Sequence, residues 1–231
     1  MRRGVVVAVA AGVGLLALGG GAAALLLGSH HAPLPLALSS PAAGASQSDL
    51  VGTWKVAAGS QAGYRVKERF INQPTTTEAV ARTDKVTGTF VVATSGGGLV
   101  ATHVHITVDL ASLVSQDKYA TYQAFQRDFF VRTIYLQTSL YPTADFTADS
   151  VPVPSGTTGP VSLSVNGKLN VHGTTHAVVA QLQAQPAGAQ VEVAGSIQVD
   201  MRDFAIEPPD ISFTTAEPQV VIEYHLLLAR A

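Results

Sequence analysis

The chain of 231 residues is 47% hydrophobic and only 13% charged, has a formal net charge of −2 and contains no cysteine. Disulfides, thiolate metal sites, a cysteine nucleophile and a lipidated-cysteine anchor are therefore excluded. The charge balance offers no basic footprint for nucleic acid.

Charge is distributed unevenly along the chain. The first 48 residues carry only Arg2 and Arg3, and no acid precedes Asp49. Between them, Val5 to Leu27 is an uncharged run of 23 residues. As a helix it would be about 35 Å long, enough for a hydrocarbon core of about 30 Å. A secretory signal has a shorter apolar region of about 7–15 residues. Residues 1–28 are thus expected to form a single N-terminal transmembrane helix, with the arginines inside and the rest of the chain extracytoplasmic. The alternative is a signal peptide, with Ala43-Gly44-Ala45 as a small-x-small cleavage site and a secreted product. Residues 29–49, with Pro33, Pro35 and Pro41 among small and polar residues, read as a flexible linker. His30 and His31 read as solvated.

Residues 50–231 read as one mainly β domain, an antiparallel barrel with one inserted helix. Val104, Ile106, Val108 and Leu110 alternate with His103, His105, Thr107 and Asp109, as in a half-buried strand. The pattern returns at Val161–Val171, interrupted by Gly167, then at Val178–Ala184, Val191–Met201 and Val220–Leu228. Two earlier strands are expected around Tyr64–Phe70 and Val86–Val92. Gly96-Gly97-Gly98, His172-Gly173-Thr174 and Pro186-Ala187-Gly188 punctuate these runs as turns. Seven or eight such strands must close or stack to cover their edges, and alternation does not separate a barrel from a sandwich.

One stretch departs from period two. Tyr119, Tyr122, Phe125 and Phe129 recur at spacings of three and four, which is one face of a helix. Ser115 is a candidate N-cap, Asp128 and Arg132 an i,i+4 pair, and Arg127-Asp128 an exposed ion pair orienting the helix. The aromatic face either plugs the barrel or gates a pocket mouth.

The order of these features resembles the YceI-like family of lipocalin-like barrels. The similarity runs from about Gly52 to Arg230. It is carried by "TWKVAAGSQAGYRVKERF", "DKVTGTFVV", "ITVDLASLVSQDKYATYQAFQRDFF", "YPTADFTADSV", "VNGKLNVHGTTHAVVAQL" and "IQVDMRDFAI". Two departures stand out. The family's histidine–serine pair in the first turn is replaced near Ser60–Gly63, and the segment before Arg127-Asp128 is longer. The resemblance implies a closed barrel that binds a polyisoprenoid or related lipid.

Motifs of chemistry are absent: there is no Gly-x-Ser-x-Gly elbow, phosphate-binding glycine loop or His-Glu-x-x-His helix. His103 and His105 share the polar strand face and read as solvent-exposed rather than metal-ligating; His172 and His176 flank a turn. The expected function is non-catalytic binding of a long apolar ligand, with no cofactor and no metal. The membrane and an isoprenoid-like small molecule are the expected partners. Tyr119, Tyr122, Phe125, Phe129, Val104, Ile106 and Leu169 are the candidate pocket or gate residues. A barrel filled by its own side chains and serving as an interaction domain is the alternative, and an extracytoplasmic hydrolase a more remote one.

Overall fold

The computed structural model describes residues 32–40, 50–71, 75–117, 124–154, 159–211 and 213–231. The strands among them are β1 (Gly52–Val56), β2 (Gln61–Phe70), β3 (Thr77–Thr83), β4 (Val86–Ser95), β5 (Gly98–Asp109), β6 (Val114–Ser115), β7 (Thr143–Val153), β8 (Val161–Val171), β9 (Thr174–Ala187), β10 (Gln190–Asp200), β11 (Asp210–Ile211) and β12 (Thr214–Arg230). Three consecutive pairs (β1 with β2, β3 with β4, β5 with β6) are successive pieces of long, kinked strands. Counted so, eight antiparallel strands follow one another round a closed barrel. Closure falls on β12, whose length lets it pair with β10 on one edge and with both β1 and β2 on the other.

Tight turns join several neighbours, and their chemistry is local. Val171 pairs with Thr174 across His172 and Gly173, both at positive φ (52° and 73°), as a type I′ hairpin requires. Gly96 and Gly97 serve β4 and β5 in the same way. At Gly167 the Phe146 ring lies over the bare backbone: a Cβ there would sit 2.4 Å from Phe146 Cζ.

A β-bulge at His103 (φ 54°) shifts the β4–β5 register between Thr89 and Val91. Its effect is to turn Ala101 inward on one side of the bulge and Val104, Ile106 and Val108 inward on the other. Both halves of β5 thereby present apolar residues to one lumen.

Between β6 and β7 the chain forms the helix α1 (Ala124–Phe130), continued by a π-helical turn, Val131–Tyr135. The helix is shorter than the expected span from Ser115. Ser115 instead belongs to β6, paired with Ala81, so it does not cap the helix. Arg132 and Asp128 form no side-chain ion pair; the Arg132 guanidinium donates to the carbonyls of Asp128 and Ala111. Among the described residues no helix is long and apolar enough to cross a membrane, and the Val5–Leu27 run lies outside them.

Residues 32–40, within the expected flexible linker, run as an extended strap across the outer barrel wall. The Pro33 carbonyl accepts from Arg65, the Leu36 amide donates to Glu223, and the Ser39 amide and hydroxyl donate to Glu192. Gln185 donates to the Ser39 carbonyl. Arg65, Gln185, Glu192 and Glu223 point outward by strand alternation yet are buried. The strap removes their water and supplies backbone partners in its place, as buried polar groups require.

Candidate functional site

Alternation carries apolar side chains into the lumen from every long strand, and the resulting space forms two compartments. The first has a volume of about 280 Å³ and lies toward the turns joining β4 to β5 and β9 to β10. Val104, Ile106 and Leu169 line it, together with Val165, Leu182 and Leu226. Trp54 seals part of its wall: the ring is buried, stacks on Phe90 at 6.4 Å between centroids, and donates from Nε1 to the Leu50 carbonyl at 2.8 Å. The guanidinium of Arg230 covers the indole at 5.3 Å.

The second compartment, of about 490 Å³, lies at the α1 end. Ala62, Val108, Ala144 and Ile222 form walls of both compartments and mark the waist between them. Around the second, Phe130, Val131, Ile134 and Tyr135 come from α1 and the π-helical turn, and Leu136 caps the turn's end. Phe129 does not reach the cavity. It is turned outward and packs edge-on against Phe130, with ring centroids 5.8 Å apart. Tyr119 and Tyr122 lie outside the described residues; Phe125 lies within α1. The helix face toward the lumen is therefore the Arg127–Phe130–Ile134 face, which its aromatic spacing does not single out.

The second compartment also has a polar wall. Arg127, 9% exposed, reaches from α1 to Asp117 through both terminal nitrogens and to Glu68 at 3.1 Å, and its Nε donates to the Ser115 hydroxyl. Asp128, also buried, accepts from the amide and hydroxyl of Ser115. The expected exposed Arg127-Asp128 ion pair is thus corrected: both residues are buried, Arg127 pairs with Asp117 and Glu68 instead, and the two meet only through Ser115. Water is scarce here, and each charge is held by several directed hydrogen bonds.

The carboxyls respond in opposite directions. Burial pushes Glu68 up to about 7 against the opposing charge of Arg127. Burial also pushes Asp117 upward, but the hydrogen bonds and charge of Arg127 outweigh it and hold the carboxyl below its usual range. Tyr64, beside them in the wall, is raised by burial. The Thr214 hydroxyl on the same wall is buried without a hydrogen-bond partner.

His103 and His105 are exposed on the outer face. His105 Nε2 meets Asp145 at 2.9 Å, and Asp145 also accepts from Thr107 and Thr143. His172 meets the Phe204 carbonyl, and His176 packs against the Phe204 ring. Among the described residues no three histidine or carboxylate side chains gather as a metal site would require.

An eight-stranded meander closed around an apolar, two-compartment lumen defines a lipocalin-like barrel. Residues 54–227 match the YceI-like domain, and the chain belongs to that family. No curated protein matches it in sequence. Among solved structures it is similar to a polyisoprenoid binding domain from Saccharophagus degradans implicated in plant cell wall breakdown, at 16% identity and a TM-score of 0.55. That match covers 78% of this chain and 99% of the other. It is also similar to Burkholderia cenocepacia BcnA, at 19% identity and a TM-score of 0.50, over 73% of this chain and 96% of that one.

Proposed function

We propose that the protein holds one long apolar molecule in the barrel lumen, without transforming it, on the outer side of a membrane. The observation that carries this reading is the lumen itself. Two end-to-end compartments are lined almost throughout by aliphatic and aromatic groups, with Tyr64, Glu68, Arg127 and Thr214 forming one polar wall. Their volumes are of the order of small-molecule sites, roughly 300–1,000 Å³. A barrel packed solid by its own side chains would leave no such space, which favours a carrier over a purely structural domain.

The energetics suit a prenyl-like chain. Each buried CH₂ contributes about 0.8 kcal/mol, so a five-carbon unit gives about 4 kcal/mol before ordering costs. A few units give useful affinity with little polar recognition. The polyisoprenoid binding of the Saccharophagus degradans domain, on a similar fold, points the same way. Membrane attachment through residues 1–28 and an extracytoplasmic location rest on the arginines and the apolar run.

Trp54 provides the test, being the only tryptophan and part of the lumen wall. Titration with a long-chain isoprenoid alcohol should change its fluorescence saturably, near one molecule per chain. A folded protein whose Trp54 emission never responds would contradict the reading.

A further inference from the structure

Among the described residues, six of the twelve large apolar side chains left exposed cluster at one end of the barrel. Ile71 is 72% exposed, Phe129 59%, Ile134 54%, Phe213 41%, and Phe130 and Ile211 40% each. They come from the end of β2, from α1 and its π-helical turn, and from the loop around β11. The Ile71 amide donates to the Phe213 carbonyl, and Ile211 pairs with Thr214, which ties the end of β2 to the loop around β11. Phe130, Ile134, Ile211 and Phe213 also line the second compartment. One apolar surface therefore runs from the lumen out over the rim, where solvent would otherwise meet it.

Charge on the neighbouring segments does not favour an anionic surface. Asp203, Glu207, Asp210 and Glu217 stand among Lys67, Arg69 and Arg202, and Lys67 and Arg202 already meet Glu217 and Asp200. Attachment at this rim would be apolar rather than electrostatic.

The strap gives the direction of the chain. Ser39 is held at Glu192, opposite Leu227; Leu36 at Glu223; and Pro33 at Arg65, opposite Val221. Followed toward the N-terminus, the strap climbs toward the α1 end. From Arg65 to Phe70 the wall rises about 17 Å at the strand repeat. The stretch from Leu27 to Pro33 can span about 20 Å when extended. The outer end of the Val5–Leu27 run can thus reach the level of the apolar rim.

We infer that this rim docks on the surface of a lipid bilayer, placing the mouth of the second compartment against the apolar layer so that ligand passes directly between membrane and lumen. The passage of ligand rests on the function proposed above; the docking does not.

The absence of cysteine makes a site-specific test clean. Ile134→Cys, Phe129→Cys and Val179→Cys, each in the full chain, would carry a polarity-sensitive nitrobenzoxadiazole label; Val179 is exposed on the barrel wall. With phosphatidylcholine vesicles, emission at 129 and 134 should rise at least twofold, with no change at 179 and little effect of salt. Equal responses at all three positions, or none, would overturn the docking. So would a rise at 129 and 134 without vesicles that tracks protein concentration, because a second copy would then cover the rim. Phe129→Ser combined with Ile71→Asp, neither of which lines the lumen, should slow uptake of an isoprenoid alcohol from vesicles about tenfold while leaving uptake from detergent solution unchanged. Equal slowing from both sources would overturn the membrane route. A protein that docks but takes up ligand from neither source would contradict the ligand reading and leave the docking standing.

Discussion

Arg127 Nη1 donates to Glu68 Oε1 at 3.1 Å, joining α1 to the inner face of β2 across the wall of the lumen. The contact places a carboxyl in an apolar cavity, with consequences for stability. Glu68 ionises near 4.5 when unfolded and near 7 in the barrel. Because the folded value is raised, the stabilisation is complete below about pH 4.5 and is lost as pH rises through about 7, a change of roughly 3 kcal/mol. Urea denaturation of Glu68→Gln should therefore show a flatter pH profile between 5 and 8 than the parent. Parallel profiles would contradict the assignment. Arg127→Met, which leaves Asp117 buried without its cation, should cost about 3–5 kcal/mol in the same experiment.

The strap should come away from the barrel when its carboxylate anchors are removed. Burial pushes Glu192 up, but hydrogen bonds from His225, the Ser39 amide, Gln185 and the Ser39 hydroxyl hold it down at about 2. Its folded value is depressed, so its contribution is present above pH 4.5 and fades as pH falls toward 2. Hydrogen bonds to a charged group are worth about 1.5–3 kcal/mol each. In Glu192→Ala and Glu223→Ala, amide exchange at Ser39 and Leu36 should accelerate at neutral pH while the β5–β7 amides keep their protection. Unchanged exchange at Leu36 and Ser39 would show that the strap is held otherwise.

Gly167 should tolerate no side chain while Phe146 covers it. A Cβ would also lie 2.7 Å from the Thr147 carbonyl. Overpacking of this kind costs about 1–3 kcal/mol, so Gly167→Ala should destabilise by that amount. In a Phe146→Leu background the cost should shrink, leaving only the backbone contact. A double-mutant cycle that shows no coupling would contradict the ring-over-glycine packing.

Strand alternation made much of the barrel legible, since Val104, Ile106 and Leu169 fall on the lumen side as period two requires. For β2 only a strand around Tyr64–Phe70 was legible; its inner face carries Ala62, Tyr64, Val66, Glu68 and Phe70, and the charge of Glu68 within that series went unread. The partner of Glu68 was not legible, because Arg127 lies 59 residues away on a helix whose aromatics occupy more than one face. Spacing therefore could not choose between Phe129, which faces solvent, and Phe130, which faces the lumen. The strap was hidden for a different reason. Proline and small residues lack periodicity, and the extended segment is held almost wholly by its backbone groups on Arg65, Arg82, Glu192 and Glu223.

Filling the lumen should abolish binding and spare the fold. Ala180 is 3% exposed, lies opposite Val165 and Ile197, and lines the first compartment. Ala180→Phe should lose the Trp54 response to an isoprenoid alcohol at a stability cost of about 1–3 kcal/mol. Val179→Phe, on the adjacent outward position, should keep it. Loss of the response in both, or in neither, would place the ligand outside the lumen.

The most direct measurement is mass spectrometry of an organic extract of the purified full chain, beside the same extract from Ala180→Phe. A lipid-binding lumen predicts a long apolar molecule at close to one per chain in the parent and strongly depleted in the variant. A parent that yields no stoichiometric apolar molecule, and takes none up when offered an isoprenoid alcohol, would contradict the account.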